Sequence, residues 1–179
     1  MQTNVRICFF GDSFVNGTGD NRYQGWVGRI STGLQSQGID LTSYNLGIRR
    51  DTSRDILLRW RIEAERRLPC GINGRLVFSF GVNDCVEEAG VRRLTLTDSL
   101  KNAQQIIAEA SAWRPSLFIG PPPMALVDQG RINDRILDLS DGFHEICTSH
   151  GVPFIDVFRS LIDLPEWKER LTEGDGAHP

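Results

Sequence analysis

Residues Ile7–Phe14 read ICFFGDSF, and this stretch decides the fold that we expect for the chain. An apolar run with β-branched and aromatic residues that ends at glycine is typical of a strand buried on both faces of a sheet. Open parallel sheets place their chemistry in the loops at the carboxyl ends of strands, so Ser13 is a candidate nucleophile if a base lies nearby. Taken alone, Gly11-Asp12-Ser13 is more typical of an ordinary turn.

The pattern of an apolar run that ends at a glycine recurs along the chain. Besides Val5–Phe10, it predicts strands at Leu41–Leu46, Leu76–Phe80 and Leu117–Ile119, and a further short apolar run predicts a fifth strand at Val152–Asp156. Such runs, rich in Val, Ile, Leu and Phe, are typical of strands inside a parallel sheet, whereas a half-exposed strand shows alternating apolar and polar residues.

Amphipathic patterns with helical periodicity separate these strands. They predict helices over Trp26–Gln37, a segment capped at Thr52 that stops before Pro69, Thr97–Trp113, Ile132–Cys147 and a short stretch at Glu166–Leu171. Strands that alternate with helices indicate a parallel sheet covered on both faces. We therefore expect one domain over residues 1–179, an α/β three-layer αβα sandwich with a five-stranded parallel sheet in the flavodoxin-like order 2-1-3-4-5.

The composition is that of a soluble globular protein. Of 179 residues, 40% are hydrophobic and 24% are charged, and the formal net charge of -3 provides no electrostatic footprint for nucleic acid or an anionic membrane. Arginines such as Arg59 and Arg61 alternate with acidic residues, which indicates a solvated helix face. Signal-peptide and membrane-span patterns are missing, so we expect a cytoplasmic protein with no membrane anchor, although a mature secreted chain would look the same.

The four cysteines indicate neither a metal site nor a redox pair. Cys8, Cys70, Cys85 and Cys147 show no C-x-x-C spacing and have no histidine at a zinc-ligand interval. Cys8 and Cys147 lie in apolar patterns and are expected in the core. The sequence thus predicts a protein without a metal or a cofactor.

Three histidines are available as a base for Ser13. A serine hydroxyl is a weak nucleophile and needs a histidine that a carboxylate orients. His144 lies within a predicted helix and His150 at its end, so both are expected to be structural. His178 lies in Asp175-Gly176-Ala177-His178, where a glycine-containing turn lets the carboxylate reach the imidazole Nδ1 and leaves Nε2 free for the serine proton.

Acyl transfer also needs hydrogen-bond donors for a developing oxyanion. Asn45-Leu46-Gly47 ends the second predicted strand, and its glycine presents an unobstructed backbone N–H. Gly81-Val82-Asn83-Asp84 follows the third predicted strand and offers an amide side chain. Each of these segments taken alone is more typical of a turn.

Together the candidate residues form a pattern of four blocks. Ser13, Gly47, Asn83 and His178 appear in this order, the first three just beyond successive predicted strands. The pattern resembles that of the SGNH hydrolases, also called the GDSL esterase/lipase family, along nearly the whole chain. Its first block is Gly11-Asp12-Ser13-Phe14, with phenylalanine in place of the commoner leucine, and its last block is an Asp-x-x-His.

The resemblance implies the SGNH hydrolase fold and a serine hydrolase that cleaves carboxylic esters. It implies Ser13 as the nucleophile, His178 as general base and then general acid, and Asp175 as the residue that orients the histidine. It also implies an oxyanion hole formed by the backbone N–H groups of Ser13 and Gly47 and by the side chain of Asn83.

Two departures from related patterns bear on this assignment. The Gly-x-Ser-x-Gly elbow of the α/β-hydrolases would need glycine in place of Val15, so that fold is not indicated. In the SGNH hydrolases a C-terminal helix normally follows the histidine block, whereas this chain stops at Pro179. Either this sequence is a truncated piece of a longer chain or the helix is missing.

Other functions stay open beside the esterase. A thioesterase or lysophospholipase of the same family would share these residues. A flavodoxin-like domain could bind a nucleotide or phosphate in the loop Gly11–Gly19, but Arg22 stands where the third Rossmann glycine would be and no P-loop signature exists. A carbohydrate- or protein-binding module could keep the fold without catalysis.

The four-block pattern says more about the type of reaction than about the identity of the substrate. Loops that follow the strands should line the cleft, which makes Phe14, Val82 and Met124 candidate acyl contacts. Arg49, just after Gly47, is a candidate contact for an anionic or sugar substrate. Because no extended apolar lid is evident, we expect small-molecule esters with short acyl or acetyl groups, and no nucleic-acid partner.

Overall fold

The stretch that begins with Val5 forms an inner strand of a parallel sheet, paired with a neighbour on each side. The computed structural model describes residues 4–125 and 131–178, so Pro179 lies outside the described residues. In chain order the strands are β1 (Val5–Gly11), β2 (Leu41–Gly47), β3 (Asn73–Ser79), β4 (Glu87–Glu88), β5 (Val91–Arg92), β6 (Ser116–Ile119) and β7 (Phe154–Ile155).

Five of these strands form one sheet in the order β2-β1-β3-β6-β7, and all neighbours are parallel. The predicted order 2-1-3-4-5 is therefore confirmed. β4 and β5 form a separate antiparallel hairpin, which the sequence did not indicate because two-residue strands carry no periodicity.

Helices cover both faces of the sheet. Their bounds are α1 (Ser13–Asn16), α2 (Gly25–Ser36), α3 (Ser53–Arg67), α4 (Val82–Cys85), α5 (Leu96–Trp113), α6 (Arg131–Ser149), α7 (Val157–Leu161) and α8 (Pro165–Glu173). The five predicted helices are confirmed to within a few residues. The short helices α1, α4 and α7 were missed, because helical periodicity becomes visible only in windows of about 11 residues or more.

The start of α3 shows how local sequence sets an element. Thr52 accepts a hydrogen bond from the backbone N–H of Asp55, and the Asp55 carboxylate accepts one from the backbone N–H of Thr52 at 2.8 Å. This capping box satisfies two N–H groups that would otherwise lack partners. It fixes the helix start and with it the position of Arg59 two turns later.

The core is divided by the sheet. On one side, α3, α5 and α6 bury a large cluster whose fully buried aromatic members include Trp60, Phe78, Phe118 and Phe143. A smaller cluster of Phe9, Val15, Val27 and Val77 lies beneath α1 and α2. Cys8 and Cys147 are fully buried, as predicted. Within the described residues, no helix is both long enough and apolar enough to cross a membrane.

The strand register brings separate loops together. Gly11 at the end of β1 pairs with Gly47 at the end of β2 and with Ser79 at the end of β3. Since the three strands are parallel, the segments that follow them meet at one edge of the sheet. Ser13, Gly47 and Asn83 all lie at this edge.

Candidate active site

Ser13 is the first residue of α1, directly beyond β1. Asp12 caps this short helix, since its Oδ1 accepts the backbone N–H of Phe14 at 3.0 Å. Glycine is required at Gly11, because a Cβ there would lie 2.0 Å from the carbonyl oxygen of Ser79. The tight turn leaves the Ser13 side chain at the edge of the sheet, where the residue is 7% exposed.

A chain of hydrogen bonds connects the C-terminal turn to Ser13. His178 Nε2 lies 2.7 Å from Ser13 Oγ, and His178 Nδ1 lies 2.8 Å from Asp175 Oδ2. The other Asp175 oxygen accepts the backbone N–H groups of Ala177 and His178, at 3.0 and 2.9 Å. These hydrogen bonds hold the carboxylate against the imidazole, so the structure brings Ser13, His178 and Asp175 together.

The electrostatics of Asp175 suit a carboxylate that orients a histidine. Partial burial acts to raise its pKa, but the hydrogen bonds from the His178 side chain and from two backbone N–H groups outweigh burial and lower the pKa to about 2. Asp175 is therefore ionised at neutral pH. In that state it accepts the Nδ1–H of His178 and so fixes the tautomer of the ring.

Asn83 lies in α4, just after β3. Its Nδ2 donates to the backbone oxygen of Asp51 at 3.0 Å and to Asp12 Oδ2 at 3.3 Å. The amide is thereby held beside the Ser13 turn from two directions. Both of its N–H groups have partners in the free protein, so a bound oxyanion would have to replace one of them.

Gly47 is placed against α1 with no room for a side chain. A Cβ there would lie 2.2 Å from the backbone nitrogen of Asn16. Its own N–H donates to Asn45 Oδ1 at 3.0 Å. The backbone N–H of Ser13, in contrast, has no hydrogen-bond partner among the described residues.

Arg59 is a component of this site that sequence reasoning missed. The prediction of a solvated helix face is wrong for this residue, whose side chain is 16% exposed. Its Nη2 donates to the carbonyl oxygens of Gly11 at 3.1 Å and Leu46 at 2.9 Å, and its Nε donates to Asp51 at 2.7 Å. Arg59 thus ties the ends of β1 and β2 to the residue that holds Asn83. The available signal was its place on α3 directly before Trp60, which is fully buried.

Buried carboxyl groups lie on the Asn83 side of Ser13. Asp12 is 1% exposed, and burial raises its pKa to about 7, although the Phe14 N–H acts in the opposite direction. Burial also raises the pKa of Asp84, even though the backbone N–H of Ser53 donates to it at 2.8 Å. The surroundings of Asn83 are therefore desolvated, and in such an environment hydrogen bonds to charge are strongest.

The predicted substrate contacts occupy different environments. The ring of Phe14 lies 5.1 Å from the imidazole of His178. Val82 is 3% exposed within the large core cluster, and Met124 packs against that cluster while its backbone pairs with the Asn133 side chain. Arg49 is exposed. The roles of all four in substrate binding stay predictions.

The remaining histidines lie outside the site. His144 stacks on Phe154 with ring centroids 5.0 Å apart, and the ring of His150 contacts Gln104. In the described part of the chain, no group of three or more His, Cys, Asp or Glu side chains could hold a metal ion.

Several solved structures share the fold of this chain. The chain is similar to the lipase/acylhydrolase from Enterococcus faecalis, with a TM-score of 0.76 and 25% identity over 97% of this chain and 86% of that one. It is also similar to Axe2, an acetylxylan esterase from Geobacillus stearothermophilus, with a TM-score of 0.78 and 16% identity over 100% and 89% of the two chains. AlinE4, an SGNH-hydrolase family esterase, aligns with a TM-score of 0.72 and 20% identity over 93% and 83%.

Among curated proteins, no match was found. The likeness to Axe2 and AlinE4 shows the fold alone. The model of the GDSL-like lipase/acylhydrolase family, however, matches residues 9–179, a range that includes all four blocks from Ser13 to His178. The chain therefore belongs to the GDSL-like lipase/acylhydrolase family, the SGNH hydrolases, and is a hydrolase of the esterase type.

Proposed function

We propose that this hydrolase cleaves carboxylic esters with short acyl groups through an acyl-enzyme on Ser13. The observation that supports the proposal most is the hydrogen-bonded chain from Asp175 through His178 to Ser13 Oγ. A nucleophile, a base and a group that orients the base are what acyl transfer by serine requires on any fold.

The first half of the reaction forms the acyl-enzyme. Ser13 Oγ attacks the ester carbonyl carbon while His178 Nε2 takes the hydroxyl proton, and Asp175 stabilises the imidazolium that results. The tetrahedral intermediate then collapses. As its bond to the alcohol oxygen breaks, Nε2 donates the proton to that oxygen, and the alcohol leaves with the acyl group attached to Ser13.

The second half returns the free protein. His178 Nε2 takes a proton from a water molecule as the water oxygen attacks the acyl carbon. When this second intermediate collapses, Nε2 gives the proton to Ser13 Oγ, and the carboxylic acid departs. Each proton taken by His178 is thus delivered within the same half-reaction.

The three proposed donors for the oxyanion differ in whether they already have a hydrogen-bond partner in the free protein. The Ser13 N–H is free to bind it at once. Asn83 must exchange one partner, and we expect the oxyanion to replace Asp12, because that contact is longer than the one to Asp51. Gly47 would have to release Asn45 Oδ1 before donating.

Short acyl groups fit the packing near Ser13. Val82 and Met124, the apolar side chains expected to contact an acyl group, pack into the core cluster and offer little open surface to a long chain. The acetylxylan esterase with a similar fold is named for an acetyl ester, which supports a small acyl group here. We therefore propose acetyl to butyryl esters as substrates.

Labelling with a fluorophosphonate tests the nucleophile. We expect stoichiometric labelling that peptide mapping places on Ser13 and that the Ser13→Ala variant abolishes. Ser36→Ala, at an exposed serine of α2, is the matched control and should label fully. Labelling at another serine, or no labelling of the folded protein, would contradict the proposed mechanism.

A series of p-nitrophenyl esters tests the acyl length. We expect kcat/KM to be highest for the acetyl or butyryl ester and to fall by about tenfold or more for the octanoyl ester, since a long acyl chain would have to displace side chains that pack with the core, such as Val82 and Met124. A preference for the dodecanoyl ester would contradict the short-chain assignment while leaving the serine mechanism intact.

A further inference from the structure

A wide groove opens beside His178. Its volume is about 760 Å³, within the range of about 300–1,000 Å³ that is common for small-molecule sites. One wall consists of residues 17–22 and the start of α2, and the other consists of α8 and the turn that follows it. Phe14, Asp175 and His178 also line the groove.

The position of the groove decides which part of an ester it can hold. In the tetrahedral intermediate the oxyanion faces Ser13 N–H and Asn83, whereas the leaving oxygen must face His178 Nε2 to receive its proton. His178 lines the groove, but Gly47 and Asn83 do not. The groove therefore lies on the side of the departing alcohol and not on the side of the oxyanion.

The charges along the groove favour a neutral ligand. Arginines and carboxylates line it in equal number: Arg22, Arg29 and Arg170 against Asp20, Glu173 and Asp175. A site for a phosphate or a carboxylate would carry an excess of cationic donors. Balanced donors and acceptors instead suit hydroxyl groups, which both donate and accept hydrogen bonds.

Each wall also carries a tryptophan that is held in position. Trp26 packs at 81° against Phe9 with ring centroids 5.7 Å apart, and the indole N–H of Trp167 donates to the carbonyl oxygen of Pro123 at 3.0 Å. Both side chains are half-buried and line the groove. Rigid aromatic faces beside polar groups suit a ligand with apolar C–H faces and a hydroxyl-rich rim, as sugar rings have.

One wall is ordered before any ligand binds. Asp20 Oδ2 accepts the backbone N–H groups of Gln24 and Gly25 at 2.9 and 2.8 Å, and its Oδ1 accepts Arg29 Nη2 at 2.7 Å. Ligand binding therefore costs little further conformational entropy in this loop. The side chains of Asn21 and Arg22 on this loop are exposed and have no hydrogen-bond partner among the described residues, so they are available to a ligand.

We infer that this groove binds the alcohol part of the ester and that the alcohol is a neutral carbohydrate. The substrate is then a sugar or oligosaccharide that carries a short acyl group, and cleavage releases the sugar from the His178 side. This inference rests on the proposed serine-esterase function and adds to it the chemical class of the leaving group.

Three acetyl compounds with different leaving groups test the inference. Acetylated xylotriose is neutral and hydroxyl-rich, ethyl acetate has a minimal alcohol, and acetyl-CoA carries phosphates. We expect kcat/KM for acetylated xylotriose to exceed that for ethyl acetate by about tenfold or more, since remote binding energy is realised in the transition state. Equal values would overturn the inference, and so would a preference for acetyl-CoA.

Variants of residues that line the groove test whether the groove causes the preference for acetylated xylotriose over ethyl acetate. The ratio to measure is kcat/KM for acetylated xylotriose divided by kcat/KM for ethyl acetate. We expect Arg22→Ala, and Trp26→Phe as a milder aromatic change, to lower this ratio by about fivefold or more, because each variant loses one or two hydrogen bonds or ring contacts to the sugar. Arg66→Ala, at an exposed arginine of α3 outside the groove, is the matched control and should leave the ratio unchanged. An unchanged ratio in both groove variants would refute the assignment.

A binding measurement separates this inference from the proposed mechanism. Tryptophan fluorescence of the Ser13→Ala variant should change saturably with free xylotriose, and Arg22→Ala in the same background should weaken the binding. If xylotriose binds but no ester is hydrolysed, the esterase proposal fails and the groove assignment stands. If esters are hydrolysed but xylotriose neither binds nor confers a preference, the groove assignment fails alone.

Discussion

Two groups of residues flank Ser13, the proposed oxyanion donors on one side and the proposed acid–base pair on the other, and different interactions hold them in place. On the donor side, Asn83 is held by Asp12 and Asp51, and Arg59 ties this cluster to the ends of β1 and β2. On the acid–base side, His178 and Asp175 lie in a short turn after α8, and the Asp175 side chain is 56% exposed. Changes on the donor side should therefore lower both stability and activity, whereas changes on the acid–base side should lower activity almost alone.

Ser13→Ala removes the atom at which the two sides meet and should have the largest effect on turnover. We expect kcat for p-nitrophenyl acetate to fall by at least about 10⁴-fold, the size seen when a serine nucleophile is removed. The free energy of unfolding should stay near that of the unmodified protein, because the change deletes one hydroxyl at the edge of the sheet. Activity close to the unmodified level would remove Ser13 from its proposed role.

Asp175→Asn tests the acid–base side. We expect kcat to fall by about 10³- to 10⁴-fold, because an amide favours the wrong imidazole tautomer and cannot stabilise the imidazolium. Stability at pH 7 should change by less than about 1 kcal/mol, since the side chain is mainly exposed. Urea unfolding measures the second quantity, and Glu169→Gln, an exposed position on α8, is the matched control.

The low pKa of Asp175 also gives its stability contribution a pH window. Its folded pKa of about 2 lies below the ordinary value of 3.8, so the contribution is present above about pH 4 and is lost as the pH falls toward 2. Asp175→Asn should lack this dependence. A large loss of stability at pH 7 in Asp175→Asn would contradict the expectation that changes on the acid–base side lower activity almost alone.

Asn83→Ala tests the donor side. We expect a loss of about 3 kcal/mol of transition-state stabilisation, or roughly 10²- to 10³-fold in kcat. Unlike Asp175→Asn, it should also destabilise the fold by about 1–2 kcal/mol, because Asp12 and the Asp51 carbonyl lose their donor. Asn102→Ala, which removes one hydrogen bond to Ser53 away from the site, should lower stability without lowering kcat.

Arg59→Met sharpens the comparison by leaving every proposed catalytic group in place. We expect a loss of about 2–4 kcal/mol in stability, since Asp51 and two strand-end carbonyls lose their donors in a mostly buried setting. A drop of about tenfold in kcat should accompany it, because misplaced donors stabilise the transition state less. Arg66→Met on the exposed face of α3 is the control, and an equal effect of both variants would contradict the role of Arg59.

Asp12→Asn should have the smallest effect, one visible in the pH dependence of stability. The folded pKa of about 7 lies above the ordinary value of 3.8, so between these values the folded state keeps a proton that the unfolded chain has lost. The stability from this group is fully present below about pH 4 and is lost as the pH rises through 7. Asparagine cannot ionise, so the free energy of unfolding, measured in urea at pH 5, 6, 7 and 8, should fall more steeply with rising pH for the unmodified protein than for Asp12→Asn. Parallel curves would contradict the raised pKa.

Much of the fold was predictable because its signals are local. The capping box at Thr52, the apolar runs that end at Gly11 and Gly47, and the amphipathic helices all depend on neighbours within a few residues. The parts that were missed are short, such as α1 and the β4–β5 hairpin, or depend on distant partners. The sequence pattern predicts a solvated face for Arg59, since the carbonyl oxygens that accept its hydrogen bonds, those of Gly11 and Leu46, belong to distant strands.

The sequence by itself determined the alternation of strands and helices and the set of residues in the four blocks from Ser13 to His178. Only the tertiary structure decided that Ser13 Oγ and His178 Nε2 lie 2.7 Å apart across 165 residues, that Asn83 and Gly47 already have partners, and that a groove opens on the His178 side. The physical reason is that residue patterns report local preference and burial. Hydrogen bonds between distant segments depend on strand register and helix packing, and these are set by the whole chain.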